Sequence, residues 1–502
     1  MKTAAELVKR NKGKTVDVYD VKTFMADPKI AEMLRHGRTI GCFYVGSPAM
    51  RQLLRKLRCD NYPTLVAASS VIRPGVAKSG MMRQYIERHL ISTMFPFPSH
   101  VPSRPQDWYL HPSMQDYLGE TYGVMVYQED VIKVAHYFAG IDLGEADVLR
   151  RAMSGKYRSL NEFHALREKF FSNCTAKGIP ESTTSEVWRQ MESFAGYSFC
   201  KAHSASFAVE SYQALHFKAH YPLEHMVAVM NNFGGFYRTE VYVHEARMMG
   251  GTIHAPCINS SDFLTNISGN DIYLGFILMK GFEKSIAEAV VSARKNRPYV
   301  SLADLLARVP AMGVEQATLL IRMGALRFTG KSKKTLLWEI GMYFSKAPAL
   351  KQATTLFQVE EVNWQLPPLL DQSIEDAYDQ MEILGFALCS PFDLTTKPPM
   401  QGEVCAADLA RRHGQRVVIR GYLIATKTVK TVSNKMMGFA DFIDCKGEYF
   451  DATLFPDTYS QNATPSIGVY QVTGKVADEF GIPSLEVEKI VRLHYRPDPR
   501  LG

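Results

Sequence analysis

The hydrophobic spacing of this chain changes kind along its length, and no single-class fold accommodates both ends. From about Ala4 to Gln213 apolar residues recur at helical intervals. In "AMRQLLRKLR" (49–58) Met50, Leu53, Leu54 and Leu57 share a face, and in "GMMRQYIERHL" (80–90) Met81, Tyr85 and Ile86 do. Their opposite faces carry Arg and Lys. After residue 416 the pattern becomes β-branched, aromatic and punctuated by turns: "RVVIRGYLIATKTV", "MGFADFIDCKGEYFDATLF" and "GVYQVTGKVADE". At 502 residues the chain has room for about three domains.

Between these ends lies a third pattern. "IYLGFILMKGFEKSIAEAVVSARK" (272–295) reads as a short strand, a glycine turn and a helix. "SLADLLARVPAMGVEQATLLIRMGAL" (301–326) adds two short helices around Pro310 and Gly313, which suits a helix-hairpin-helix arrangement. Gly330 to Leu370 lacks strong periodicity and reads as linker. The last strands, with Gly421, Gly438, Gly447 and Gly474 at bends, suit a small closed barrel of about five strands, an OB-fold. The expected class is multidomain α+β: helices over 1–265, helix-hairpin-helix over 266–345, a linker over 346–400 and the barrel over 401–495. Two breaks interrupt the helical part, "SSVIRPGVAKSG" (69–80) and "FPFPSHVPSRPQDW" (95–108), both expected as surface loops.

Bulk composition excludes several classes. The chain is 46% hydrophobic and 22% charged, which is globular. Its net charge of +7 permits a polyanionic partner without requiring one. No two of the eight cysteines lie within four residues of each other, which argues against a zinc knuckle and a compact disulfide framework. The N-terminus lacks a signal-peptide core and no apolar run reaches eighteen residues, so the expected location is the cytoplasm.

The chemistry concentrates in "SFAGYSFCKAHSASFAVESYQALHFKAHYP" (193–222). A helix beginning near Lys201 and ended by Pro222 puts Ser204, Phe207, Ala208, Ser211, Tyr212 and Leu215 on one narrow packing face. Lys201 and His203 then stand at its start, where free amides and the dipole already favour an anion. The residues fit a nucleoside triphosphate, or a helix start with two solvated cations. "RPG" (73–75) sets Arg73 beside a fixed turn, and "LRRAMSGK" (149–156) gathers Arg150, Arg151 and Lys156 at a helix end capped by Gly155. Arg150 and Arg151 project about 100° apart, so one is expected on phosphate and the other in an internal pair. "YGVMVYQED" (122–130) contributes Tyr127, Gln128 and Glu129, by itself an ordinary helix segment.

Taken in order, these stretches together with "GCFYVGSPAMRQLLRKLRCD" and "GEADVLRRAMSGK" resemble the alpha subunit of bacterial DNA polymerase III, the C-family polymerases, from about Gly41 to Leu493. The resemblance implies a fingers domain in which Arg73, Arg150, Arg151, Lys156, Lys201 and His203 lie near the triphosphate, ribose or template. It places His203 near the sugar. It implies DNA contacts from Lys280, Gly281 and Lys284 in the hairpin, and from Lys427, Lys430, Lys435 and Phe439 on the barrel's single-strand surface. Gln352, Leu356 and Phe357 fall where the family carries its sliding-clamp peptide, one residue out of spacing, or in plain linker.

Departures from the family pattern accompany the match. Cys200 and Ala202 replace the usual Asn and Ser, and Glu283 replaces a hairpin glycine, where a carboxylate repels phosphate. Deoxynucleoside triphosphates and Mg2+ are the implied substrate and cofactor. The palm's Asp-x-Asp pair is absent: "VDVYD" spaces Asp17 and Asp20 as Asp-x-x-Asp and reads as loop, so no catalytic residue and no metal ligand is assigned. The expectation is the fingers-to-OB portion of a DNA-directed DNA polymerase, inactive alone, with primer–template DNA, single-stranded template, a sliding clamp and the missing palm as partners. The chain ends directly after the barrel, and with Cys200, Ala202 and the irregular clamp peptide this leans towards the error-prone branch. Alternatives are a non-catalytic DNA-binding accessory protein or half of a split polymerase.

Overall fold

The computed structural model describes residues 1–72, 79–93, 105–153, 160–192, 200–345, 372–397, 403–431, 433–461 and 466–501. Arg73, Lys156, Gln352, Leu356 and Phe357 lie outside the described residues, as does Gly155. The chain divides into two compact units. One is Asp17–His220, and the other joins Met1–Val16 to Tyr221–Gly502.

The Asp17–His220 unit is helical, and the Lys201–His220 helix supplies much of its core. Ser204, Ala208, Ser211, Tyr212 and Leu215 are buried as the spacing predicts, and Phe207 is partly buried. The small residues admit the Tyr62–Val71 helix closely: Ser204 Oγ lies 2.7 Å from Ser70 Oγ, and Tyr62 donates its hydroxyl hydrogen to the Ala205 carbonyl at 2.9 Å. This corrects the expectation of a loop from residue 69. The helix runs through Val71, because the Ser69 and Ser70 hydroxyls bond back to the Val66 carbonyl and are buried with their polarity satisfied. Residues 105–108 are likewise no plain surface loop; they form a 3₁₀ turn that buries Trp108. "VDVYD" is loop as expected, with Asp20 capping the Val21–Met25 helix.

Of the five basic side chains in the Lys201–His220 helix, Lys218 and His220 make structural contacts. Lys218 is 3% exposed and donates to the Ile40 carbonyl at 2.6 Å. His220 pairs with Asp27 at 2.5 Å.

In the other unit the Lys2–Lys12 helix packs on the Pro222–Asn231 helix, with Asn11 bonded to Glu224 and to Gly269. A small sheet follows: β1 (Thr252–His254) runs parallel to β3 (Asp271–Tyr273), and β2 (Asn266–Ser268) antiparallel to it. Helices Lys284–Arg294, Leu302–Arg308 and Val314–Arg322 come next, joined by short turns. Part of the expected linker is ordered helix. Lys333–Ser345 carries its period on Leu336 and Ile340 alone, one turn apart, which is too sparse a pattern to read. Within the 346–400 stretch, Ser373–Ile383 is a helix whose buried Asp379 is gripped by Arg322, Lys333 and Arg500.

The C-terminal strands close into a five-stranded barrel. β4 (Arg416–Lys430), β5 (Met436–Ile443), β6 (Tyr449–Leu454), β7 (Val469–Glu479) and β8 (Ile482–Arg492) run in the order β4-β5-β6-β8-β7. A short helix, Pro456–Gln461, sits between β6 and β7, completing an OB-fold. Val417, Ile419, Phe442, Phe450, Val472 and Leu485 fill the interior. Phe442 and Phe450 stack at 5.1 Å directly over Gly421, where a Cβ would approach Phe450 to 2.6 Å. That crowding explains a glycine inside β4.

All eight cysteines are unbridged. No helix among the described residues is long and apolar enough to cross a membrane.

Candidate functional site

One short helix brings the separated nucleotide candidates together. Gln128–Lys133 follows the extended segment 124–127, and its turn is pinned by Asp130, whose Oδ2 accepts the Val126 and Tyr127 amide hydrogens at 2.9 Å each. Burial pushes the Asp130 carboxyl up to about 6, against the pull of those two bonds and of Lys133. From this fixed turn Gln128 reaches one way and Glu129 the other. Arg150, on the Leu143–Met153 helix, donates to Gln128 Oε1 at 3.0 Å. The Lys201 amide, first in its helix, donates to Glu129 at 2.9 and 3.1 Å.

Each cation in this wall already has a carboxylate. Arg150 and Arg151 both pair with Asp147, at 2.8 and 3.2 Å. The expectation that only one of them pairs internally is thus corrected. The i,i+3 and i,i+4 spacing from Asp147 lets both reach it. Lys201 Nζ pairs with Glu120 at 2.5 Å and lies over the Tyr127 ring. The hydrogen bond and charge of Lys201 hold the Glu120 carboxyl below its ordinary value. Glu129 occupies the helix start, where a phosphate would otherwise sit. An open depression of about 660 Å³ adjoins Glu120, lined also by Asp116, Tyr117, Lys133 and Tyr137.

His203 joins a cluster of aromatics. Its ring lies 4.1 Å from Phe207, which meets Phe43 and Tyr44 edge-on at 5.2 and 5.0 Å. The Ser211 hydroxyl fixes this corner by bonding the Phe43 carbonyl at 3.1 Å.

The hairpin is shaped for backbone approach but its groups are engaged. Gly281 holds φ of 76°, a left-handed turn that favours glycine. Gln316 clamps the turn, its Oε1 accepting from the Glu283 amide at 2.9 Å and its Nε2 donating to the Gly281 carbonyl at 3.0 Å. Lys284 is exposed and pairs with Glu288 at 3.6 Å, and Lys280 is exposed beside the turn. On the barrel, Lys427 stands directly opposite Phe439 in the β4–β5 ladder, and both are exposed. Lys430 and Lys435 flank the turn at the end of the same ladder, also exposed.

A family model described as bacterial DNA polymerase III alpha subunit finger domain matches residues 1–178. A helix-hairpin-helix motif model matches 250–336. Among curated relatives, a DNA polymerase III subunit alpha of Aquifex aeolicus is 30% identical over 469 residues, 92% of this chain and 38% of the relative. Those of Thermus aquaticus and Treponema pallidum are 34% and 28% identical, over 66% and 97% of this chain and 27% and 42% of theirs. The chain belongs to the bacterial DNA polymerase III alpha family. It spans at most about two-fifths of the length of these relatives.

The structure brings Arg150, Arg151 and Lys201 to one wall and puts His203 in an aromatic corner. Lys280, Gly281 and Lys284 share the hairpin, and Lys427, Lys430, Lys435 and Phe439 share one ladder. Sequence reasoning missed Asp147, Glu120 and Gln316. Asp147 was legible from its spacing to the two arginines; Glu120, 81 residues from Lys201, and Gln316, 33 from Glu283, were not. The implied Mg2+ does not fit the described residues. Among them the one group of three ligating side chains is Asp27, His216 and His220, whose two imidazoles do not suit an ion that prefers oxygen.

Proposed function

We propose that this chain is the fingers-to-barrel portion of a DNA-directed DNA polymerase that takes deoxynucleoside triphosphates in the cytoplasm. Residues 1–265 act as fingers, 266–345 as the hairpin region, 346–400 as the connection bearing a clamp peptide, and 401–495 as the single-strand-binding barrel. Arg150, Arg151, Lys201 and His203 face the nucleotide, and the resemblance assigns Arg73 and Lys156 the same role. The observation that carries the reading is the Gln128–Glu129 turn, which ties Arg150 to Lys201 across a wall built of groups suited to phosphate. Asp147, Glu120 and Glu129 hold those groups. A triphosphate binds by taking their place, exchanging one anion for another, so the cations are neutralised both before and after. Among the described residues no group of three ligating side chains built of oxygen donors is present to hold Mg2+. Primer–template DNA runs past the hairpin to the barrel, where Phe439 offers a stacking face and Lys427 a phosphate contact.

Equilibrium dialysis of the chain against labelled dATP tests this. Glu129→Gln is expected to tighten binding about tenfold, by unloading the helix start, and Lys201→Ala to weaken it about tenfold. Equal affinity in all three proteins would overturn the assignment.

A further inference from the structure

The structure holds a second cluster of ligating side chains, set apart from the nucleotide wall, of which only the His220–Asp27 pair has been described above. His216 and His220 stand four residues apart on the last two turns of the Lys201–His220 helix, so both project from one face. Asp27 caps the start of the Pro28–Arg35 helix against that face. One Asp27 oxygen, Oδ1, is spent on the Lys29 amide at 2.9 Å, which fixes the carboxylate. The other, Oδ2, lies 2.5 Å from His220 Nε2. One donor atom from each of the three residues lies within 4.8 Å of the other two. Phe24, itself buried, stacks on the His216 ring at 4.1 Å and holds its plane.

We propose that Asp27, His216 and His220 form a zinc site. Two imidazole nitrogens and one carboxylate oxygen are a three-ligand set for Zn2+, with water completing a tetrahedron. Imidazole at two of three positions selects against Mg2+ and Ca2+, which take oxygen. Donors around tetrahedral zinc sit about 3.3 Å apart for bonds near 2.0–2.1 Å. The Asp27–His220 edge therefore opens by less than an ångström. An edge at the 4.8 Å bound closes by about 1.5 Å to form the site. The Asp27 and His220 side chains are 14% and 30% exposed, so an ion can enter from solvent. Bound there, zinc clasps the Pro28–Arg35 helix to the end of the helix that begins with Lys201. The site thus anchors the far end of that 20-residue helix, about 22–28 Å along it from Lys201. A His220–Asp27 hydrogen bond without metal is the competing account.

The test is zinc competition against a chromophoric chelator, using the tag-free, chelator-stripped full chain. Wild type is expected to hold one equivalent that His216→Gln and Asp27→Asn each weaken about 100-fold. Circular dichroism verifies that the variants fold. Because the chain has eight unbridged cysteines, the Co2+-substituted wild type is read as well. A tetrahedral spectrum without thiolate charge transfer supports the site. Zinc affinity unchanged in both variants, or Co2+ bound only with a thiolate signature, overturns it.

Discussion

Asp130 sets the turn that carries Gln128 and Glu129, and its burial makes the turn's stability depend on pH in a direction unusual for a carboxylate. The side chain is 3% exposed, and desolvation raises its pKa from 3.8 to about 6. Between those values the native state holds a proton that the unfolded chain releases. Stability is therefore full below pH 3.8 and is lost as pH rises through about 6. At about 1.4 kcal/mol for each pH unit the loss totals about 3 kcal/mol by pH 7.5. Both backbone amides bond to the same oxygen, Oδ2, so an asparagine carbonyl can accept both. Asp130→Asn then removes the charge while keeping the cap. After about 1 kcal/mol for placing the new amide group, the variant is expected to stabilise the turn by about 2 kcal/mol at pH 7.5. The gain should shrink by about 1.4 kcal/mol at pH 5. Hydrogen exchange at the 128–133 amides, compared between the two proteins at each pH, reads both quantities. A variant less stable than wild type at pH 7.5, or a difference that does not change with pH, would refute the reasoning.

Three further outcomes can be checked alongside. Gly421→Ala forces a methyl against Phe442 and Phe450 and should cost about 1–3 kcal/mol in thermal or urea unfolding of the barrel. Asp379 is buried yet its carboxyl lies below the ordinary value, because the bonds from Arg500, Arg322 and Lys333 outweigh desolvation. Asp379→Asn should therefore cost about 2 kcal/mol at neutral pH, the partly exposed cations softening the penalty, and the difference should vanish as pH falls below 3.8. On the barrel, Phe439→Ala should weaken binding of a labelled single-stranded oligonucleotide about tenfold, while Lys427→Ala should lower the salt slope by about one, both read by fluorescence anisotropy.

What the sequence revealed follows from the range over which each interaction acts. The Lys201–His220 helix and its buried face were legible because Ser204, Ala208, Ser211, Tyr212 and Leu215 keep a local period. The barrel was legible because β4 alternates Val417 and Ile419 inward with Arg416 and Val418 outward. Ser69 and Ser70 misled because a hydroxyl bonded to its own helix is polar in sequence and satisfied in structure. The paired state of Arg150, Arg151 and Lys201 was hidden for a different reason. Glu120 and Glu129 meet Lys201 only after 81 and 72 residues of chain have folded between them. The double duty of Asp147 was within reach, since its spacing to Arg150 and Arg151 is helical.

The most direct measurement is photo-crosslinking of the chain with 8-azido-dATP, followed by peptide mapping and competition with unlabelled dATP. The account predicts labelled peptides from the 120–133, 143–153 and 200–207 segments, lost on competition and reduced in Arg150→Ala. Labelling confined to other segments, or labelling that excess dATP does not suppress, would contradict it.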